Sequence, residues 1–462
     1  MISFYMPDLK LFFPEGILIL TALSALMTGV FQQIGTAASL RRFCHFSIIA
    51  LLLALIVLVV QHKFGEKWIT FEGQIFQDDF VFFAKLLILI GSASILAISL
   101  PSMVKEHITS FEYSPLILLA TVGMLVMVEA NDFMTLFIGL ELQGLCLYIL
   151  AAISRDQLSA SEAALKYFIL GALGTCLYLY GSSLIYGFTG STNFQAIASV
   201  IRIEITQGLS IGLFIGMIFI VASLCFKVSA VPFHMWTPDV YQGCPTPVTA
   251  FIAAAPKVAG MVVFLRIMAN PFLLLYENWQ PLIVFISFAS MVWGAFAALQ
   301  QSDLKRLLAY SAISQMGYVL MGIAAGNDEG IQAVFVYLTL YLAMIIGTFG
   351  CFLCIRGKGL EGVQNIEDLT GISALHPKMS FTLAVFMFSL AGIPPLAGFF
   401  AKLYVFKAAI AAGLFGLAII GVLSSVVAAY YYLKIVKVMY FDEIPESPSA
   451  TYGQILVLAP ET

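Results

Sequence analysis

The sequence predicts an all-α polytopic membrane protein of about thirteen transmembrane helices, arranged as two five-helix blocks, each containing a broken helix. Three observations predict it. Of the 462 residues 61% are hydrophobic and only 10% charged, against about 25% charged in ordinary soluble domains. A mean hydropathy of +0.98 leaves too little polar surface to cover a water-soluble core. Apolar runs of bilayer length recur along most of the chain, and two of them are interrupted by proline at corresponding places.

The predicted spans are 14–31, 43–61, 79–100, 113–130, 132–153, 162–189, 208–230, 245–269, 279–299, 304–325, 330–355, 378–408 and 410–440. They are continuous rather than alternating, which favours helices over a β-barrel. Residues 1–441 form one transmembrane region and 442–462 a C-terminal tail. The first run is no removable signal, because no small-residue cleavage site follows it. Loops after odd-numbered spans carry eleven Lys and Arg, and the N-terminus with the remaining loops carries six. The positive-inside bias therefore places the N-terminus outside.

Net charge of −4 points to no nucleic-acid partner. The seven cysteines are scattered, and Cys351 and Cys354 sit inside a span with no second pair, as small apolar packing residues do. The chain has no strand-borne GxGxxG, no Walker loop and no haem-attachment pattern, so neither a nucleotide site nor a metal or redox site is expected.

Five lysines remain inside apolar runs: Lys85, Lys166, Lys227, Lys257 and Lys402. A lysine at a helix centre costs about 2.5–3.5 kcal/mol on insertion scales. Such residues persist where they face a wet cavity or an opposite charge. Together with Glu141, deep in the fifth span, they read as a polar axis through the bundle. Lysine and glutamate suit proton transfer because burial disfavours the charged form of each, bringing both toward exchange near neutral pH. Lys85 follows Asp78 and Asp79 by about two turns and is read as an interfacial partner of those acids. Lys166 lies near a helix start, where it either joins the axis or snorkels to the interface. Asp303, Lys305 and Arg306 precede or open the tenth span, where they are read as topology anchors.

Lys227 opens the segment Lys227-Val228-Ser229-Ala230-Val231-Pro232, and Lys402 follows Gly392-Ile393-Pro394-Pro395. Proline removes a backbone donor and opens a helix. Inside a membrane such backbone is tolerated where it lines a cavity or is covered by protein. The breaks fall in spans seven and twelve, the same position in blocks four to eight (113–269) and nine to thirteen (279–440). His234, just past the first break, either bridges the cavity to solvent or caps the exposed turn. The second block has no acid deep within a run. Lys402 is therefore expected to rest on hydroxyls such as Tyr310, Ser311, Ser314, Tyr337 or Tyr341, on open backbone near Pro394, or on water.

Five segments carry a family resemblance: LELQGLCLYIL (140–150), SEAALKYFILGA (161–172), KVSAVPFHMWTPDVYQGCPTPVTAF (227–251), LKRLLAYSAISQMGY (304–318) and GIPPLAGFFAKLYVF (392–406). They resemble the antiporter-like membrane subunits of proton-pumping NADH:quinone oxidoreductase, respiratory complex I. Within that family Asp239-Val240-Tyr241-Gln242-Gly243 is similar to the subunit-N branch. The sister subunits and the multi-subunit sodium/proton antiporters carry a WLPDAH-type sequence there.

The resemblance implies two inverted five-helix repeats and a fourteenth helix. The tail holds only the short apolar run Ile455–Ala459, so a truncated or absent last helix is expected. By the same resemblance Glu141 modulates Lys227, and Lys166, Lys257 and Lys402 continue the proton-transfer chain. It also implies that this chain binds no cofactor. NAD, flavin, iron–sulfur clusters and quinone belong to partner subunits, and this chain lies among other membrane subunits, including sister antiporter-like ones. The membrane is the bacterial inner (plasma) membrane or the mitochondrial inner membrane. The alternative reading is a subunit of a sodium/proton antiporter without redox coupling.

Overall fold

The structure is a computed structural model, and it describes residues 11–31, 37–106, 108, 110–208, 210–356, 363–442 and 454–455. The main helices are α1 (Phe13–Phe31), α2 (Ala37–Gln61), α3 (Asp79–Lys105), α4 (Tyr113–Glu129), α5 (Phe133–Ala151), α6 (Leu158–Thr189), α7 (Phe194–Gln207), α8 (Ile211–Val228), α9 (Trp236–Gly243), α10 (Thr246–Ala253) and α11 (Ala255–Ala269). They continue with α12 (Tyr276–Leu299), α13 (Leu304–Ala325), α14 (Asp328–Cys354), α15 (Pro377–Ala391), α16 (Ala397–Ala411) and α17 (Phe415–Tyr440). Among the described residues, eleven helical stretches are long and apolar enough to cross a membrane. The shorter apolar helices α4 and α15 stand where the fourth span and the first part of the twelfth were expected.

Both expected breaks are present. The seventh span stops at Val228 and resumes at Trp236, and the twelfth divides into α15 and α16. A third break was not anticipated. The eighth span is divided at Ala254 (φ −99°, ψ −100°), and α11 restarts with Pro256 in its first turn. Pro256 has no N–H for the carbonyl four residues back, which frees the chain to bend there. The loop expected between spans six and seven contains α7, whose buried Phe194, Ile197 and Ile201 recur at helical spacing. A hairpin, β1 (Trp68–Thr70) antiparallel to β2 (Ile75–Gln77), joins α2 to α3. Of the tail, Gln454–Ile455 pairs antiparallel with Ile355–Arg356. The rest of the run Ile455–Ala459 lies outside the described residues.

The chain divides into two compact units: Met1–Leu100, Thr109–Val228 and Ala254–Asn278, then Pro101–Ile108, Ser229–Ala253 and Trp279–Thr462. In the first, α4 crosses α5 at Gly123 and Gly139. A Cβ on Gly123 would stand 2.6 Å from the Gln143 nitrogen, so the two backbones meet only because side chains are missing there. In the second, α12 crosses α13 in the same way, with a Cβ on Gly294 falling 2.6 Å from the Ser314 nitrogen.

A second feature recurs. Asp132 caps α5 through the Met134 and Thr135 amides and bridges antiparallel to Asn193, which caps α7. Asp303 caps α13 through the Arg306 amide and bridges antiparallel to Asn365, which opens a 3-10 turn with a capping box. Each aspartate occupies N-terminal amides that a helix cannot satisfy by itself.

Candidate functional site

In the first unit the chemistry gathers where α5, α6 and α8 meet. Thr175 on α6 donates its hydroxyl to Glu141 Oε1 at 2.6 Å. Lys227, in the last turn of α8, reaches α5 and lies 3.5 Å from the Leu140 carbonyl oxygen. Gly144 makes room for it, since a Cβ there would stand 3.2 Å from Lys227 Nζ and 3.3 Å from the Tyr148 hydroxyl. Glu141 and Lys227 are half-buried. Among the described residues no ion pair within 4.0 Å joins them. The Glu141 carboxylate is held by Thr175, and the Lys227 ammonium lies against the backbone of α5. Lys257 is 1% exposed in the first turn of α11. Lys166 stays half-exposed and pairs with Glu162 at 2.8 Å, one turn away.

Lys85 departs from its sequence reading. It is 1% exposed and pairs with Glu15 at 2.7 Å and with Glu129, rather than with Asp78 and Asp79 at an interface. The reason is helical geometry. Asp78 caps the first turn of α3 through the Val81 amide and Asp79 turns outward to His62. Lys85 points instead into the packing of α1 and α4. Sequence reasoning missed Glu15 and Glu129 because each stands near the end of an apolar run, where acids are ordinarily solvated. Arg266, inside α11, is 6% exposed and donates to the Val128 carbonyl at 2.9 Å.

In the second unit Lys402 is 4% exposed. Its ammonium donates to Ser425 Oγ at 2.7 Å, to the Ala391 carbonyl at 2.9 Å and to the Leu390 carbonyl at 3.4 Å, with the Tyr318 ring centroid 5.1 Å away. The break supplies these partners. α15 ends at Ala391, and Gly392 takes φ +90° and terminates the helix. The last carbonyls of α15 are thereby left open to a cation at the negative end of the helix dipole. Gly392 is needed twice, because a Cβ there would also meet Lys402 Cδ at 3.1 Å.

No acid touches Lys402 among the described ion pairs. Open backbone was foreseen, whereas Ser425 and Tyr318 were not. Of the foreseen hydroxyls, Ser311 and Tyr337 belong to an adjoining polar seam. Gln315 donates to the Leu390 carbonyl and to Tyr432 Oη, Tyr337 binds Gln315, and Ser311 binds Tyr432.

The far side of the first break lies in this unit. Ser229 adopts φ 63°, an uncommon conformation for a residue with a side chain, and its hydroxyl is bonded by Thr237 at 2.5 Å. The Val231 amide donates to Ser290 Oγ at 2.9 Å. His234 is half-buried beside Trp293. Asp239 pairs with Arg306 at 2.7 Å, Gln242 bonds both Arg306 and Asp303, and Lys305 donates to the Cys244 carbonyl at 2.8 Å. Asp303, Lys305 and Arg306 thus pin the Asp239–Cys244 segment to the start of α13, a role beyond topology anchoring. No group of three or more His, Cys, Asp or Glu is arranged to hold a metal ion among the described residues.

Apolar helices of membrane-spanning length, broken beside Lys227 and Lys402, define a polytopic membrane protein. The chain belongs to the NADH:quinone oxidoreductase/Mrp antiporter transmembrane family, which matches residues 130–428. It is similar to NADH-quinone oxidoreductase subunit N of Rhodospirillum rubrum, 50% identical over 95% of this chain and 89% of that one. The subunit N of Parvibaculum lavamentivorans is 51% identical over 94% and 88%. Among solved structures it is similar to a chain of respiratory complex I from Thermus thermophilus, with TM-score 0.78, 31% identity and coverage of 93% and 90%. A chain of the Mrp complex from Dietzia sp. shares the fold at TM-score 0.78 and 23% identity, covering 93% and 80%. The resemblance to subunit N read from Asp239–Gly243 is thus borne out.

Proposed function

We propose that this chain is the proton-translocating subunit N of a NADH:quinone oxidoreductase, coupling quinone reduction elsewhere in the complex to proton movement through its buried Glu/Lys chain. The observation that carries this is Lys402: a cation buried in an apolar bundle and held, among the described residues, by neutral acceptors at a helix break. Burial without a counter-charge makes a protonated amine costly to keep, so the group passes its proton on when a neighbouring charge changes.

In this reading Glu141, positioned by Thr175, sets the proton affinity of Lys227. Lys166, Lys257 and Lys402 are further sites of the same proton-transfer chain, and His234 links it to bulk solvent. The blocks 113–269 and 279–440 are two inverted repeats, supported by the matched glycine crossings and the matched aspartate caps. The N-terminus lies outside, in a bacterial inner membrane, as the bacterial source of the relatives favours. NAD, flavin, iron–sulfur clusters and quinone bind on partner subunits. A sodium/proton antiporter subunit is less well supported, because the likeness to the Mrp complex is one of fold.

The test is purification of the chain under mild detergent. Co-isolation with flavin and iron–sulfur subunits and NADH-driven quinone reduction is expected. Isolation with antiporter subunits alone, with sodium-dependent exchange and no bound flavin, would overturn it.

A further inference from the structure

Glu15 of α1 and Glu129 of α4 are both 0% exposed, and both bond the single ammonium of Lys85. Gln77 adds an amide donor to Glu129 Oε2 at 3.2 Å. Among the described residues, the second oxygen of each carboxylate, Glu15 Oε2 and Glu129 Oε1, is buried with no hydrogen-bond partner. Buried carboxylate oxygens are not left bare, so each is a place for a proton or a water molecule.

The charges facing the cluster do not balance. The acids are Glu15, Glu129 and Asp78, and the cations are Lys85 and Arg266. Arg266 bonds the Val128 carbonyl and lies over the rings of Phe76 and Phe80. From the segment after α2, His62 is paired to Asp79, whose side chain is 45% exposed, and Lys63 to Glu66 at 3.6 Å. One negative charge is left over, with two buried carboxylates on a single ammonium. One cavity is lined both by the exposed pair Lys63 and Glu66 and by His62, Gln77, Asp78 and the buried Lys85.

We infer that the Glu15–Lys85–Glu129 cluster is a proton-binding site, holding one exchangeable proton shared by the two carboxyls and trading it with water through the cavity beside His62 and Asp78. The inference rests on the proposed function and adds a site to it. It lies where α1 and α3 start and α4 ends.

The test uses the assembled complex in vesicles with Glu15→Gln, Glu129→Gln and Lys227→Ala. Either glutamine variant leaves one carboxylate on one ammonium, a balanced pair, so assembly is expected to survive. The infrared difference spectrum during turnover should show a carboxylic C=O band that shifts in D2O. This band should be lost in Glu15→Gln and Glu129→Gln, with fewer protons pumped per electron in both. A purely structural clamp would not produce such a band. A band and pumping unchanged in both glutamine variants, with pumping lowered in Lys227→Ala, overturns this inference alone. Unchanged pumping in Lys227→Ala overturns the proposed function and this inference with it. Failure of both glutamine variants to assemble overturns it too, because the cluster is then only a clamp.

Discussion

Lys402→Met removes a charge while keeping most of an unbranched side chain, and the structure indicates how much stability that costs. The ammonium makes three bonds, to Ser425, Ala391 and Leu390. Hydrogen bonds to a charged group contribute roughly 1.5–3 kcal/mol each. Desolvating a buried ion costs several kcal/mol, so most of that gain is offset. The substitution also leaves no carbonyl bare. The Leu390 oxygen keeps Gln315 Nε2 at 3.3 Å, and the Ala391 oxygen keeps the Ser425 hydroxyl at 3.4 Å. The stability change is therefore expected within about 2 kcal/mol, with normal assembly. Proton transfer through this chain should fall by about a hundredfold or more, the scale set by removing a positioned proton donor. Native electrophoresis with flavin content measures assembly, and acidification of vesicles on adding NADH measures transfer. An assembled variant that acidifies vesicles like the wild type would refute the reasoning.

Three further outcomes follow from the same geometry. Lys402→Arg should assemble with impaired pumping, because guanidinium keeps its proton at any accessible pH; wild-type acidification would show that residue 402 need not release one. Thr175→Val should leave assembly intact and lower pumping about tenfold or more, roughly 1.5–3 kcal/mol for the bond to the Glu141 carboxylate, without altering flavin content; an unchanged pumping rate would show that Glu141 needs no positioning. Asp132→Ala and Asp303→Ala, which remove matching caps, should each lower thermal stability by about 1 kcal/mol in the purified complex, and a cost at one site alone would argue against their equivalence.

Most of the membrane architecture was legible in the sequence because lipid leaves the chain few choices: apolar length gives spans, and proline inside a span gives a break. Lys227, Lys257 and Lys402 were found by the cost of a charge in an apolar run. What escaped was what that signal does not mark. Thr175 and Ser425 are small hydroxyl residues that cost a helix little, so nothing distinguishes the ones that hold a charged partner. Glu15 and Glu129 stand near helix ends and become buried only because α1, α3 and α4 pack together. The break at Ala254 looked like a continuous span, since a proline near a helix start and one within a broken helix read alike.

The central claim is that lysine titration in this chain drives pumping, and the ratio of protons pumped to electrons delivered to quinone tests it most directly. It should be measured in vesicles carrying the assembled complex with Lys227→Ala. The expected result is a lowered ratio with assembly and flavin content at the wild-type level. A wild-type ratio in the assembled variant would contradict it.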